Sequence, residues 1–238
     1  MGSDDLFKKR REARKKRSHE FKTPKANSYL IVTEGECTEP YYFNGLKRRI
    51  LESIGGTVEV LEVPEIDIHG EGASTEKLIE ITEEHVNKAN IIYQNIWVIF
   101  DKDDFLDFDE AIKTGERKGY KIGWSNQSFE YWLFLHFNYS DSNLHRHEWN
   151  EKLDDLFKEY GLSENGYQKN YEDLYDMLDS FGGVDTAIKN AKRRMSEFAE
   201  SDVPSEFAPG TTVHILVEEL RKMERICRRP QLDLLSVV

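Results

Sequence analysis

Four carboxylates stand where an open parallel sheet would collect them. Glu34 follows the apolar run Ser28-Tyr-Leu-Ile-Val-Thr33, and Asp101, Asp103 and Asp104 follow Asn95-Ile-Trp-Val-Ile-Phe100. Short β-branched apolar runs of this kind read as buried strands. In open α/β sheets, ligands bind beyond the carboxyl ends of the strands. If the two runs are neighbouring strands, the carboxylates share one edge. Like charges held together repel, so a divalent cation is the natural counter-charge. Carboxylate oxygens with retained waters suit Mg²⁺ or Mn²⁺, which can activate water and stabilise charge on a transferring phosphoryl group. Either cluster alone would read as a solvated acidic turn; their joint placement points to a site.

Other constellations carry less. Asp-x-Asp opens an EF-hand loop, but Leu106 and Ile112 stand where that loop needs Gly and Glu. It also follows an early strand in aspartyl-phosphate transferases, whereas here it lies in mid-chain. His69-Gly-Glu-Gly-Ala-Ser-Thr75 has two glycines of a dinucleotide fingerprint but Thr75 in place of the third, so it reads as a loop ending in a helix N-cap. No Walker A loop is present, which argues against an NTPase. His145 and His147 sit two apart in a polar loop and read as surface residues. Cys37, just after Glu34, reads as a partly buried structural thiol. Thr211 or Thr212 reads as the cap of the last long helix, with His214 in its first turn. Glu130, amid Phe129, Tyr131 and Trp132, is either buried with a partner or turned to solvent.

The elements that would position these residues follow from the apolar pattern. Strands are expected at 28–33, 57–63, 95–100 and 120–124. Helices are expected from Glu39-Pro40, from the segment after Thr75, and over 111–118, with Pro40 suited to a first turn and Gly119 to a C-cap. This alternation predicts a mainly parallel four-stranded sheet flanked by helices. From Gln127 onward the chain reads as helical, with helices near 146–160, 168–180, 184–199 and 211–227. The organisation expected is a basic arm (1–27), an α/β core (28–137), a helical portion packed on it (138–227) and a tail (228–238).

Composition bounds the function. The 238 residues are 38% hydrophobic and 12% aromatic, enough for a real core, and carry a net charge of −12. That average hides an asymmetry. Residues 1–25 hold ten Lys/Arg against four acids, net +6, leaving 23 bases against 41 acids, net −18, in the rest. A basic arm before an acidic body suggests a polyanionic partner, with Arg10, Arg11, Lys15, Lys16 and Arg17 as phosphate contacts; the bland reading is a solubilising tail. No apolar run approaches a membrane span, no signal-peptide pattern opens the chain, and two cysteines make no disulfide framework. A cytoplasmic protein with no membrane partner is expected. The helical half offers surfaces for a homodimer, though no heptads select one.

Val32-Thr-Glu-Gly-Glu-Cys-Thr-Glu-Pro-Tyr-Tyr-Phe43 resembles the opening motif of the RloB-like family. So do Val98-Ile-Phe-Asp-Lys-Asp103, Trp124-Ser-Asn126 with Phe129-Glu-Tyr-Trp-Leu-Phe-Leu-His136-Phe137, and Pro209-Gly-Thr-Thr-Val-His214, in that order over most of residues 28–220. The family is similar to Toprim-domain proteins. The resemblance implies a Toprim-like α/β fold with Glu34 as general acid/base that also touches metal, and Asp101 and Asp103 as the Mg²⁺ (or Mn²⁺) ligands. It adds Glu130, through Phe-Glu-x-Trp, as a further catalytic residue. Glu39, Ser128, Thr212 and His214 stand as supporting residues, and Lys102, between the aspartates, as a phosphate contact.

Relatives of this kind take part in bacterial antiphage defence, including abortive infection, often beside an AAA or ABC-type ATPase. The resemblance therefore implies a metal-dependent nuclease effector acting on RNA or tRNA, with DNA as a further substrate. The alternative is a non-catalytic sensor or binding subunit of an ATPase-containing complex. Topoisomerase-like strand chemistry is disfavoured, because no separate domain bears an obvious nucleophilic Tyr.

Overall fold

The structure, a computed structural model, describes residues 22–54, 63–102, 107–199 and 203–228. The second expected strand (57–63, but for Val63), Asp103, Asp104 and the five arm residues named above lie outside the described residues.

Strands β1 (Thr23–Thr33), β2 (Glu65–Gly70), β3 (Ile91–Asp101) and β4 (Lys121–Asn126) run parallel, and the short β5 (Gly210–Thr211) lies antiparallel against β4. Their order is β2-β1-β3-β4-β5. The helices are α1 (Thr38–Ile54), α2 (Thr75–Lys88), α3 (Phe108–Arg117), α4 (Phe129–Phe134), α5 (Arg146–Glu159), α6 (Leu174–Asp179), α7 (Gly183–Met195) and α8 (Val213–Arg228). The mixed α/β class is as expected, with helices filling the C-terminal half.

The central strands are apolar on both faces because both faces are covered. Leu30, Val32, Val98 and Phe100 pack with Leu78 and Ile79 of α2 and Phe108, Ala111 and Ile112 of α3. The alternate residues Tyr29, Ile31, Trp97 and Ile99 belong to a larger cluster on the opposite face. That cluster joins Tyr42, Phe43 and Leu46 of α1 to Trp132 of α4, Trp149 of α5 and Leu216 of α8. The helical segments after residue 137 therefore share one core with the sheet.

The chain leaves β1 toward one edge of the sheet, by way of α1 and β2. It leaves β3 toward the other, by way of α3 and β4. The switch point thus falls between β1 and β3, where such sheets open a crevice. Register aligns the two strand ends: Thr33 lies beside Ile99, and Asp101 beside Ser125.

Several boundaries differ from expectation. β1 begins at Thr23, five residues inside the stretch read as arm, because Thr23–Lys25 pair with Ile91–Tyr93. His69 and Gly70, read as loop, are the last residues of β2. This is an edge strand whose Ile66 is buried while its alternate residues are only partly so, a weaker pattern than a doubly covered strand. The helix expected over 168–180 is confined to Leu174–Asp179. The two-residue β5 makes the sheet five-stranded; it is too short to leave a periodic signal. No helix among the described residues is long and apolar enough to cross a membrane.

Candidate functional site

The chain turns sharply after β1, and the turn sets the first carboxylate. Glu34 N–H donates to Ile99 O of β3 (2.9 Å), and Gly72 N–H donates to Glu34 O (2.9 Å). The backbone of Glu34 is thus fixed from both sides. Its side chain reaches across the switch point, where Oε2 accepts the backbone N–H of Asp101 (3.2 Å). Asp101 in turn uses Oδ2 to accept the backbone N–H of Phe129 (3.0 Å). That contact satisfies an orphan donor in the first turn of α4 and ties the Phe-Glu-x-Trp segment to the end of β3. Ser128, the formal N-cap of α4, makes no side-chain cap bond; its hydroxyl is buried with no partner among the described residues.

Two further carboxylates come from helices. Glu39 is in the first turn of α1 and Glu130 in the first turn of α4; they are 6% and 3% exposed. Gly35 lets the Glu39 carboxylate approach the main chain, since a Cβ at that position would collide with it. Glu130 is not turned to solvent. Its Oε1 pairs with Lys169 Nζ at 2.8 Å and accepts from the Tyr167 hydroxyl at 3.5 Å. The Lys169 carbonyl accepts from Thr38 Oγ1 (3.2 Å), which fastens this segment to α1.

Glu34, Glu39, Asp101 and Glu130 all line one cavity of about 610 Å³. Gly72, Ala73 and Ser74 form part of its wall, and Cys37, Arg146 and Lys169 also face it. Five acids, these four and Glu36, face two cations, which leaves an excess of negative charge, and three of the acids titrate above their ordinary range. Burial pushes Glu34 up to about 7; the Asp101 N–H and Arg146 oppose this, and Glu39 adds to it. Burial likewise raises Glu39 to about 7, reinforced by Glu130 and opposed by backbone N–H groups and Lys169. Asp101 is raised well above the ordinary carboxylate range by burial, then by Glu39 and Glu130.

The donor set is hard oxygen, which fits Mg²⁺ or Mn²⁺. The carboxylates are not drawn into one tight shell. Among the described residues, only His69, Glu71 and His85 bring three such donor atoms within 4.8 Å of one another. That spread is compatible with Mg²⁺, which binds through one or two carboxylates with retained waters rather than a dedicated cage.

The remaining sequence candidates fall elsewhere. Lys102 donates its backbone N–H to Ser125 O (2.8 Å) and does not line the cavity. Thr212 bridges to β4, its Oγ1 accepting from Trp124 N–H (2.9 Å). His214 is buried in the first turn of α8, where Nδ1 donates to Thr211 O (3.1 Å). Thr212 holds the C-terminal segment on β4, His214 bonds within that segment, and neither lines the cavity. Lys169, Arg146 and Tyr167 are not singled out by the sequence. They come from segments with no periodic or spacing relation to Glu34 or Asp101, so no local signal could have found them.

No curated protein and no solved structure matches the chain. The family model for RloB-like proteins matches residues 29–220, most of the chain, and that span includes Glu34, Glu39, Asp101, Glu130, Arg146 and Lys169. On that match, the chain belongs to the RloB-like protein family.

Proposed function

We propose that the protein is a Toprim-type nuclease that uses Mg²⁺ or Mn²⁺ to hydrolyse phosphodiester bonds, with RNA or tRNA the favoured substrate. The observation that carries this reading is the convergence of Glu34, Glu39, Asp101 and Glu130 on one cavity at the switch point of the sheet. Asp101 and Glu34 would hold the cation, with Asp103 added by the family resemblance. A bound divalent cation would supply Lewis-acid stabilisation and an activated water.

The protein's own residues divide the remaining work. Glu34 Oε2 already accepts the Asp101 N–H, so Oε1 is the better placed of the two oxygens to take or give a proton. A carboxyl titrating near 7 suits both directions of that transfer at neutral pH. The Phe129 N–H fixes the Asp101 carboxylate, and Lys169 and Tyr167 fix that of Glu130. Arg146 and Lys169 put positive charge beside the acids, where a phosphate must approach. The basic residues at 8–17 would add phosphate contacts, making binding fall steeply with salt. Arginine-rich arms that order on binding suit structured RNA. A role as an effector of antiphage defence follows from the family resemblance.

The test is incubation of the purified chain with labelled tRNA, single-stranded RNA and duplex DNA, with Mg²⁺, Mn²⁺ or EDTA. Metal-dependent cleavage lost in Glu34→Ala and Asp101→Ala supports the reading; undiminished cleavage in both overturns it. A chain that cleaves nothing, yet co-purifies with an AAA or ABC-type ATPase, would favour the binding-subunit reading.

A further inference from the structure

Beyond the acidic cavity, β2 and α2 bring together a second group of metal-competent side chains. His69 is the penultimate residue of the edge strand β2, and Glu71 is the first residue after it. His85 lies in the last turn of α2. The His69 and His85 rings stack with centroids 4.0 Å apart at 23°, and His85 Nε2 lies 2.7 Å from Glu71 Oε1. One donor atom from each of the three residues falls within 4.8 Å of the others.

We propose that His69, Glu71 and His85 form a site for Zn²⁺ or a similar borderline divalent cation. Two imidazoles and a carboxylate are a three-ligand zinc set that leaves a fourth position for water. Tetrahedral ligands at roughly 2.0–2.1 Å from zinc stand roughly 3.3–3.5 Å apart. The 2.7 Å contact therefore has to open by about 0.6–0.8 Å, and a separation at the 4.8 Å limit has to close by about 1.3–1.5 Å, within reach of side-chain rotation. The His85 and Glu71 side chains are 24% and 22% exposed, so water reaches them. Parallel imidazoles this close repel when both are charged, and the neutral form is the one that binds metal.

The site also has a structural reach. Glu71 N–H donates to Thr33 O (3.1 Å), and the next residue, Gly72, holds Glu34 O. A cation at Glu71 clips the loop 71–74, one wall of the acidic cavity, to α2. Its two imidazoles separate it from that cavity, which is lined by no histidine.

Titration of the metal-free full chain with Co²⁺ tests the proposal, with zinc-edge X-ray absorption on the zinc-loaded wild type. The expected result is the visible absorption of tetrahedral Co²⁺ and imidazole scattering around zinc. His85→Gln and His69→Asn, each checked for folding by circular dichroism, should weaken Co²⁺ binding by about 100-fold. The Glu34→Ala/Asp101→Ala double variant should keep the absorption, as should His147→Ala, which breaks the other histidine pair (His145 and His147, Nδ1 to Nδ1 2.7 Å). Absence of tetrahedral absorption in the wild type overturns the proposal. So does unchanged binding in both histidine variants, or an oxygen-only zinc shell.

Discussion

The Tyr42–His136 pair and the Glu34–Asp101 pair are both polar groups taken out of water, and they resolve that cost in opposite ways. His136 Nδ1 faces the Trp132 carbonyl at 3.0 Å, which can only accept, so Nδ1 carries the proton. Nε2 is then the acceptor for the Tyr42 hydroxyl at 3.1 Å. Every ring nitrogen is satisfied, and burial lowers the imidazole to about 3, keeping it neutral. Around the acidic cavity the same burial raises Glu34, Glu39 and Asp101, in a pocket whose acids outnumber its two cations. The first cluster is complete within the chain. The second is complete only with a proton or an added cation, and that deficit marks a site rather than a core.

The largest way to break this comparison is chemical. Glu34→Ala should lower cleavage by about 10²–10⁴-fold, the usual worth of a general acid/base, while the unfolding midpoint holds or rises because a buried repulsion is removed. A matched fall in activity and stability would mean that Glu34 belongs to the core after all. The reciprocal change is Trp132→Ala. Trp132 is fully buried between Tyr42 and His136, in edge contact with both rings. Its loss should cost about 3–5 kcal/mol in urea denaturation, with no dependence on Mg²⁺.

The two clusters should also pull stability in opposite directions with pH. Glu34 and Glu39 are raised from 4.5 to about 7 in the fold. Their contribution is fully present below pH 4.5 and lost as pH rises through 7. His136 is lowered from 6.5 to about 3, so its contribution is fully present above pH 6.5 and lost as pH falls toward 3. Metal-free protein should therefore lose stability on the alkaline side, Mg²⁺ should restore it more at about pH 8 than at about pH 5, and Glu34→Gln should flatten that limb alone. Urea midpoints across pH, with and without Mg²⁺, measure all three. The smallest effect is expected from Lys169→Ala. Lys169 is 61% exposed, so losing its pair with Glu130 should cost only about 1 kcal/mol at about pH 8, and less once Mg²⁺ is added.

Much of the site is legible in the sequence. Glu34 and Asp101 each end an apolar run, and Glu130 stands out as a charge among aromatics. Glu39 reads there only as a supporting residue, although it lines the same cavity and is more buried than Glu34. Its importance depends on Gly35 and on the way α1 docks, neither of which leaves a pattern in sequence. His69 and Glu71 are hidden for a related reason: an edge strand buries one side only, so its weak alternation next to glycines reads as loop.

The amino-acid sequence by itself determined that two strands would be buried on both faces and that carboxylates would stand at their ends, because burial and period are local properties of the apolar pattern. Only the tertiary structure decided that those strands are neighbours, with Thr33 beside Ile99 and the Asp101 N–H within reach of Glu34. It alone brought Lys169 to Glu130 and His85 to Glu71. Strand order, register and helix docking are chosen jointly, by whichever arrangement buries both faces of the sheet at once. No single stretch of chain carries that information.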